Sequence, residues 1–177
     1  ILWEMADMLS LDLVDKGVVT NQIVLTVGYD KESLADGHYT GEVVCDHYGR
    51  KIPKHAHGTQ NLGRHTSSTK KTIDATMALF DRIIDKTLLA RRLNLTACNV
   101  IREEDIPEVE SYEQISLFDM AEAANADNNA EEKERALQEA MILIKHKYGK
   151  NAILKGTNYT EGATARERNR SIGGHKA

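Results

Sequence analysis

At 177 residues, 41% hydrophobic and 28% charged, the chain suits one domain with a tail or two very small domains. It has no secretory signal and no apolar run near the roughly 18 residues of a membrane span, and its two cysteines, Cys45 and Cys98, supply no disulfide framework; a soluble protein of a reducing cytoplasm is expected. The net charge of −4 hides four blocks: −7 over 1–46 (two basic, nine acidic residues), +8 over 47–102 (eleven, three), −11 over 103–134 (one, twelve) and +6 over 135–177 (nine, three), a segregation that marks interaction surfaces or solvated tails.

The chain opens on Ile1, not Met, already inside a helical pattern, as expected of a piece of a larger protein. Leu2, Met5, Leu9 and Leu13 recur three and four apart, which predicts an amphipathic helix over 1–16 ended by Gly17. Ile23, Leu25, Val27 and Tyr29 then alternate with Val24, Thr26 and Gly28, a strand with one face in the core. Val43 and Val44 sit in a weaker extended stretch, and 46–66, polar and rich in Gly and His, reads as a loop running into another strand.

Ser67, Ser68 and Thr69 offer capping oxygens to a helix from about Lys70, with a stripe of Ile73, Met77, Phe80, Ile84 and Leu88. Leu93, Leu95 and Ala97 alternate with Asn94, Thr96 and Cys98 in a last strand. This order predicts an α+β domain over 1–102: an antiparallel sheet with two helices on one face and the other face free for a partner. The acidic, aperiodic stretch 103–130 reads as a flexible linker. A final helix is expected over 131–148 with Leu137, Met141, Ile144 and Tyr148 on one stripe, and the Gly- and Arg-rich remainder, 149–177, shows no clear element.

Arg50, Lys51, Lys54, Arg64, Lys70 and Lys71 fall between His47 and Lys71 with no Asp or Glu among them, interleaved with Thr66, Ser67 and Ser68. Cations neutralise phosphates, hydroxyls and backbone N–H groups set register on them, and a helix start adds free donors. Arg91 and Arg92 extend this surface across the sheet. Sequence-independent binding of the DNA backbone is the expectation, against a solvated basic loop. Cys45, His47, His55 and His57 match no common structural zinc spacing, and Lys51 and Lys54 would repel a cation, so no metal site is expected. Within the linker stands one apolar cluster, Gln114-Ile115-Ser116-Leu117-Phe118, whose Leu117 and Phe118 suit a partner's pocket, against packing back on their own domain.

That pentapeptide resembles the bacterial sliding-clamp-binding motif, with Ile115 at a place more often Leu. The preceding domain is similar to the little finger of Y-family translesion DNA polymerases, DNA polymerase IV and UmuC-like proteins of Gram-positive bacteria. The resemblance rests on Val27-Gly28-Tyr29-Asp30, His57-Gly58-Thr59 through Thr66-Ser67-Ser68-Thr69, Leu79-Phe80-Asp81-Arg82-Ile83, Leu88 to Leu93, and Gly162-Ala163-Thr164 to Gly173-Gly174-His175. It implies a four-stranded sheet backed by two helices, open face on DNA, with the family's first strand lying before Ile1. It also implies primer-template DNA and the sliding clamp (the polymerase β subunit) as partners, in error-prone bypass of damaged DNA. The two magnesium ions of nucleotidyl transfer would belong to a palm outside this sequence; Asp105, Glu108 and Glu110 have no rigid scaffold to hold them. No catalytic residue, cofactor or polymerase activity is therefore expected of the chain itself. A stand-alone clamp-binding adaptor and a histidine-dependent metallohydrolase are the competing readings.

Overall fold

The computed structural model describes residues 1–35, 37–107, 120–172 and 175–176. Helix α1 (Leu2–Asp15) leads through Gly17, at φ +63°, into the long strand β1 (Val18–Tyr29). A small hairpin follows, β2 (Val43–Cys45) against β3 (Lys51–Pro53). Then come β4 (Ala56–Thr66), α2 (Thr69–Ile83), β5 (Ala90–Cys98) and the short β6 (Ile101–Arg102).

β1 is the centre of the sheet, antiparallel to β4 on one side and to β5 on the other. β6 pairs with Val18 and Val19 and, by its register, prolongs the β5 edge beyond the left-handed Asn99. Ile23, Leu25 and Val27 are fully buried and Tyr29 nearly so, packed with Leu2 of α1 and Leu79 of α2. Each such aliphatic side chain contributes about 1.5–3 kcal/mol by leaving water. The helices cover this one face, α1 over β5 and α2 over β4. A Cβ on Gly58 would stand 2.8 Å from Ile83 and 2.9 Å from Leu79, so α2 rides directly on β4 there. The α+β class, the antiparallel sheet and the two backing helices are as the sequence implies.

Three elements depart from expectation. On α2 the innermost positions are Thr72, Thr76 and Leu79, with Met77 and Phe80 only partly buried, and the helix ends at Ile83. Threonine methyls fill the interface because their hydroxyls turn back onto the helix, Thr72 Oγ1 donating to Ser68 O at 2.8 Å and Thr76 Oγ1 to Thr72 O at 2.6 Å. Helix α3 runs Met120–Tyr148, taking in residues assigned above to a linker, because strong helix formers such as Ala121, Ala123 and Ala124 outweigh the asparagines. Its docking face mixes polar and apolar groups: Gln138 is 4% and Met141, on the expected stripe, 5% exposed, while Leu137 is 56% exposed. The start of the acidic segment is also ordered, a 3-10 turn at Glu103–Asp105 whose Glu103 N–H bonds Gly17 O.

The tail, too, is structured. A 3-10 turn (Gly156–Tyr159), the short helix α4 (Ala165–Arg168) and strands β7 (Ser171–Ile172) and β8 (His175–Lys176) follow α3. The tail folds over the outer face of α1 around Glu4, which is 3% exposed. Glu4 accepts from Asn158 Nδ2 at 3.0 Å, from the Thr164 and Ala165 N–H groups at 3.0 and 3.2 Å, and from Arg168 Nη2 at 3.3 Å. Beside it Asp7 pairs with Lys155 at 2.5 Å, and that ammonium lies over the Trp3 ring.

Burial pushes the Glu4 carboxyl up, but the bonds from Asn158, Thr164 and Ala165 and the charge of Arg168 outweigh it and hold it below its ordinary value. A folded pKa below the unfolded one gives stability that is complete above the unfolded value and lost as pH falls through the folded one. Acid unfolding is therefore expected to begin with the tail, below about pH 4.3. Glu4→Gln is expected to cost about 2–4 kcal/mol and to weaken that acid dependence. Circular dichroism melts from pH 3 to 7 check this; a variant with the parent's melting point and acid limb would show that Glu4 does not hold the tail.

Candidate nucleic-acid interface

Period-two alternation places the other side chains of β1, β4 and β5 on the face away from the helices. Register sets them in rows: Asn61, Gln22 and Cys98; then Thr59, Val24 and Thr96; then His57, Thr26 and Asn94; with Arg92 beside Gly28. These strand positions carry hydroxyls, amides, an imidazole and a guanidinium, and no carboxylate. Thr26 Oγ1 and His57 Nδ1 are 2.9 Å apart, and Arg92, Asn94, Thr96, His57, Thr59 and Asn61 are exposed. Gly28 keeps the middle strand low next to Arg92, whose Cβ would meet a Cβ there at 3.4 Å.

One end of this face opens into a cleft of about 790 Å³ between β1, β5 and the β2–β3 hairpin, lined by Lys31, Arg50, Arg91 and Arg92 together with His47, Tyr48 and His55. The hairpin turn is held by Asp46, whose Oδ1 accepts from the N–H groups of Tyr48 and Arg50, both at 2.9 Å, while Oδ2 binds the Arg50 guanidinium at 2.6 Å. Arg91 pairs with Asp30 at 2.9 Å. The Arg50 side chain and backbone hold the Asp46 carboxyl below its usual range, and the Glu32 N–H, then Arg91, do so for Asp30, so both carboxylates stay ionised and committed to their arginines. Lys51 lies on the hairpin paired with Cys45, and Lys54 pairs with Glu42 at 2.6 Å. Among the described residues, Lys31, Lys51 and Arg92 have no ion-pair partner. The histidines are spread out: His47 packs edge-on against Tyr48, His55 and His57 have ring centres 6.4 Å apart, and no three potential ligands converge among the described residues.

The remaining basic-segment residues are gathered at a different place. Ser68 caps α2, accepting from Lys71 N at 3.3 Å, and Thr66 Oγ1 accepts from Ser68 N. A carboxylate of α3 already fills this helix start: Glu134 accepts from Ser68 Oγ at 2.7 Å and from Lys70 N at 2.9 Å. Glu131 binds Arg64 at 2.5 Å and Lys71 at 2.6 Å. Burial raises the Glu131 carboxyl, yet Lys71 and Arg64 bring it below its ordinary value. Gln138 Nε2 donates to Ser67 O and Thr69 Oγ1, and Arg135 reaches Ser67 Oγ and Glu103. Thus Arg50, Arg91 and Arg92 line the cleft beside the open face and Lys51 and Lys54 lie on or next to the hairpin, whereas Arg64, Thr66, Ser67, Ser68, Lys70 and Lys71 form the platform on which α3 rests. Gln114, Ile115, Ser116, Leu117 and Phe118 lie outside the described residues.

Residues 1–117 match the impB/mucB/samB family C-terminal domain. The chain belongs to this family. It is also 30% identical over 160 residues to the "Putative UV-damage repair protein UvrX" of Bacillus subtilis (strain 168), a match that covers 90% of this chain and 30% of that protein. The chain thus spans less than a third of the length of this relative, and the likeness runs past the family domain into α3 or the tail. No solved structure matches. The fold is accordingly a C-terminal domain of the Y-family polymerases, whose setting is DNA-damage tolerance.

Several side chains of the open face and cleft are not among the residues the sequence singles out: Lys31, Asn94, Thr96 and Asn61. The alternation of β5 already implied the Asn94 and Thr96 face. The extent of β4 was hidden, because a strand containing Gly58, Gly63 and four amides or imidazoles looks like a loop.

The contacts between α3 and the platform are mostly partly exposed ion pairs and hydrogen bonds, so salt should screen them. Glu131→Lys with Glu134→Lys is expected to weaken docking by about 1–2 kcal/mol and to speed hydrogen exchange at the Lys70 amide. Unchanged exchange at Lys70 in the double variant would show that the carboxylates do not hold the helix.

Proposed function

We propose that this chain is the DNA-gripping and clamp-targeting part of a translesion DNA polymerase, acting in repair of damage such as that of ultraviolet light. The observation that carries the DNA reading is the sheet face without a carboxylate, three rows of hydroxyl, amide and imidazole groups ending in the Arg92 and hairpin cleft. Threonine, asparagine and glutamine bond phosphate oxygens, and arginine and lysine neutralise them. Among the described residues no element of this face presents side chains as a helix in a groove would, so the grip ignores base identity and tolerates a lesion. The name of the Bacillus relative, a UV-damage repair protein, agrees with this setting. Magnesium-dependent nucleotidyl transfer would be the task of a palm in the full polymerase; among the described residues no cluster of ligands suits it.

For the second half of the reading, Gln114 to Phe118 supplies the clamp peptide, with Leu117 and Phe118 as the anchors. It stands between the folded domain and α3, so a chain bound to DNA would hold the peptide at high effective concentration for a clamp on the same duplex.

Fluorescence anisotropy with primer-template DNA between 50 and 200 mM salt tests the grip. Affinity is expected to fall with salt, with a slope set by the few free cations, and Arg92→Ala with Lys51→Ala to lower that logarithmic slope by about 2. Binding that ignores salt would overturn phosphate contact. Separately, the chain is expected to bind a bacterial sliding clamp, and Leu117→Ala with Phe118→Ala to abolish that binding. No binding by the unmutated chain, or equal binding by the double variant, would remove the peptide from the proposal.

A further inference from the structure

Tyr48 is 79% exposed, the most exposed of the large apolar side chains among the described residues. It stands at the tip of a hairpin that adds nothing to the main sheet, since β2 and β3 pair only with each other. Yet its position is tightly built. Asp46 N and O bond Arg50 O and Gly49 N, both at 2.9 Å, Gly49 takes φ +74°, and the Asp46 carboxylate fixes the Tyr48 and Arg50 amides. The Arg50 guanidinium lies 5.1 Å from the Tyr48 ring centre, and the His47 ring meets it edge-on at 5.4 Å. One side of the ring is thereby backed by a cation, and the rest faces solvent at the mouth of the basic cleft.

A solvated tyrosine with no packing role needs no rigid turn, no guanidinium behind it and no cationic cleft beside it. A nucleobase uses all three. Its π-face stacks on an aromatic ring, the cation strengthens the stack, and the linked phosphate falls toward Arg92 and Lys31. Bases inside a duplex offer no free face, so the ring can stack only on a base that is unpaired or at a duplex end.

We infer that the β2–β3 hairpin is a base-stacking finger, on which Tyr48 receives an unpaired base of a DNA strand whose phosphates run along the Arg92 side of the cleft. This rests on the DNA-backbone reading above and adds to it a preference for junctions between duplex and single strand. An acidic protein partner would meet the same cations but would not require the flat ring.

The test compares the full chain on a blunt duplex and on the same duplex with a single-stranded extension carrying 2-aminopurine at successive positions. The unmutated chain is expected to bind the extended duplex roughly tenfold more tightly and to quench 2-aminopurine at one position. Tyr48→Ala is expected to remove both effects, lowering affinity for the extended duplex about tenfold and for the blunt duplex far less, while Tyr48→Phe and Tyr48→Trp keep them. An equal loss on both DNAs, no loss, or a Phe variant that behaves as Ala would each overturn stacking while leaving the backbone grip intact. A chain that binds neither DNA would overturn the grip itself, and the finger with it. Because Tyr48 touches no core residue, melting points of the three variants should match the parent's.

Discussion

β1 has to satisfy two solvents at once. Hydrogen-bonded on both edges, it cannot shift by one residue without turning Ile23, Leu25 and Val27 outward and Val24, Thr26 and Gly28 inward, at a cost of several kcal/mol in lost burial. That constraint locks β4 and β5 in register beside it. It thereby fixes which groups of all three strands stand under the helices and which form the polar rows on the far side. The proposed DNA face is therefore a by-product of core packing: no separate device is needed to line up Thr59, Thr96, Asn94 and His57, because the strand that buries its alternate residues has already done so.

Part of the charge that is segregated along the chain is paired in space. The acidic first helix meets the basic tail, Glu4 with Arg168 and Asp7 with Lys155. The acidic block ahead of residue 135 meets the middle basic block, Glu131 with Arg64 and Lys71. What these pairings leave over is instructive. Among the described residues the remainder includes Lys31, Lys51 and Arg92, and the arginines that do have carboxylates in the cleft, Arg50 and Arg91, are oriented rather than buried by them. A polyanion thus finds its cations on the hairpin side and competes with Glu131 and Glu134 for those at the start of α2.

How far the sequence discloses this depends on the interaction that decides each element. β1 and β5 were legible because local hydrophobic periodicity and tertiary burial agree in them, and α1 was legible as a helix although its buried side takes in Glu4, Asp7 and Ser10 while Met5 and Leu9 are only partly buried. α2 was found with its phase misread, since threonine was counted as polar although its methyl packs once its hydroxyl bonds the preceding turn. A helix over 131–148 was expected, but its docking and the fold of the tail escaped, because much of what binds them is polar: Gln138 on Ser67, and Glu4 on the Thr164 and Ala165 amides, involve partners more than sixty residues apart that no local pattern reveals. For the same reason Arg64, Lys70 and Lys71 read as one basic patch with Arg50 and Lys51, although the fold sends the two groups to different places.

The modest number of free cations on the open face has a consequence for the proposed function. Each phosphate contact contributes to a binding constant that falls by orders of magnitude over the physiological salt range, and a surface built mainly of neutral hydroxyls and amides makes few of them. Such a grip is weak on its own and quick to release, which suits an error-prone enzyme that should leave the template soon after bypass. Residence then has to come from a second attachment, and a peptide tethered within reach of the same duplex supplies it without any added contact to the bases. Weak phosphate contact and a clamp peptide are, on this reading, two halves of one requirement: neither the grip nor the tether needs to recognise the lesion, so the chain follows the duplex through damage that would defeat a base-reading protein.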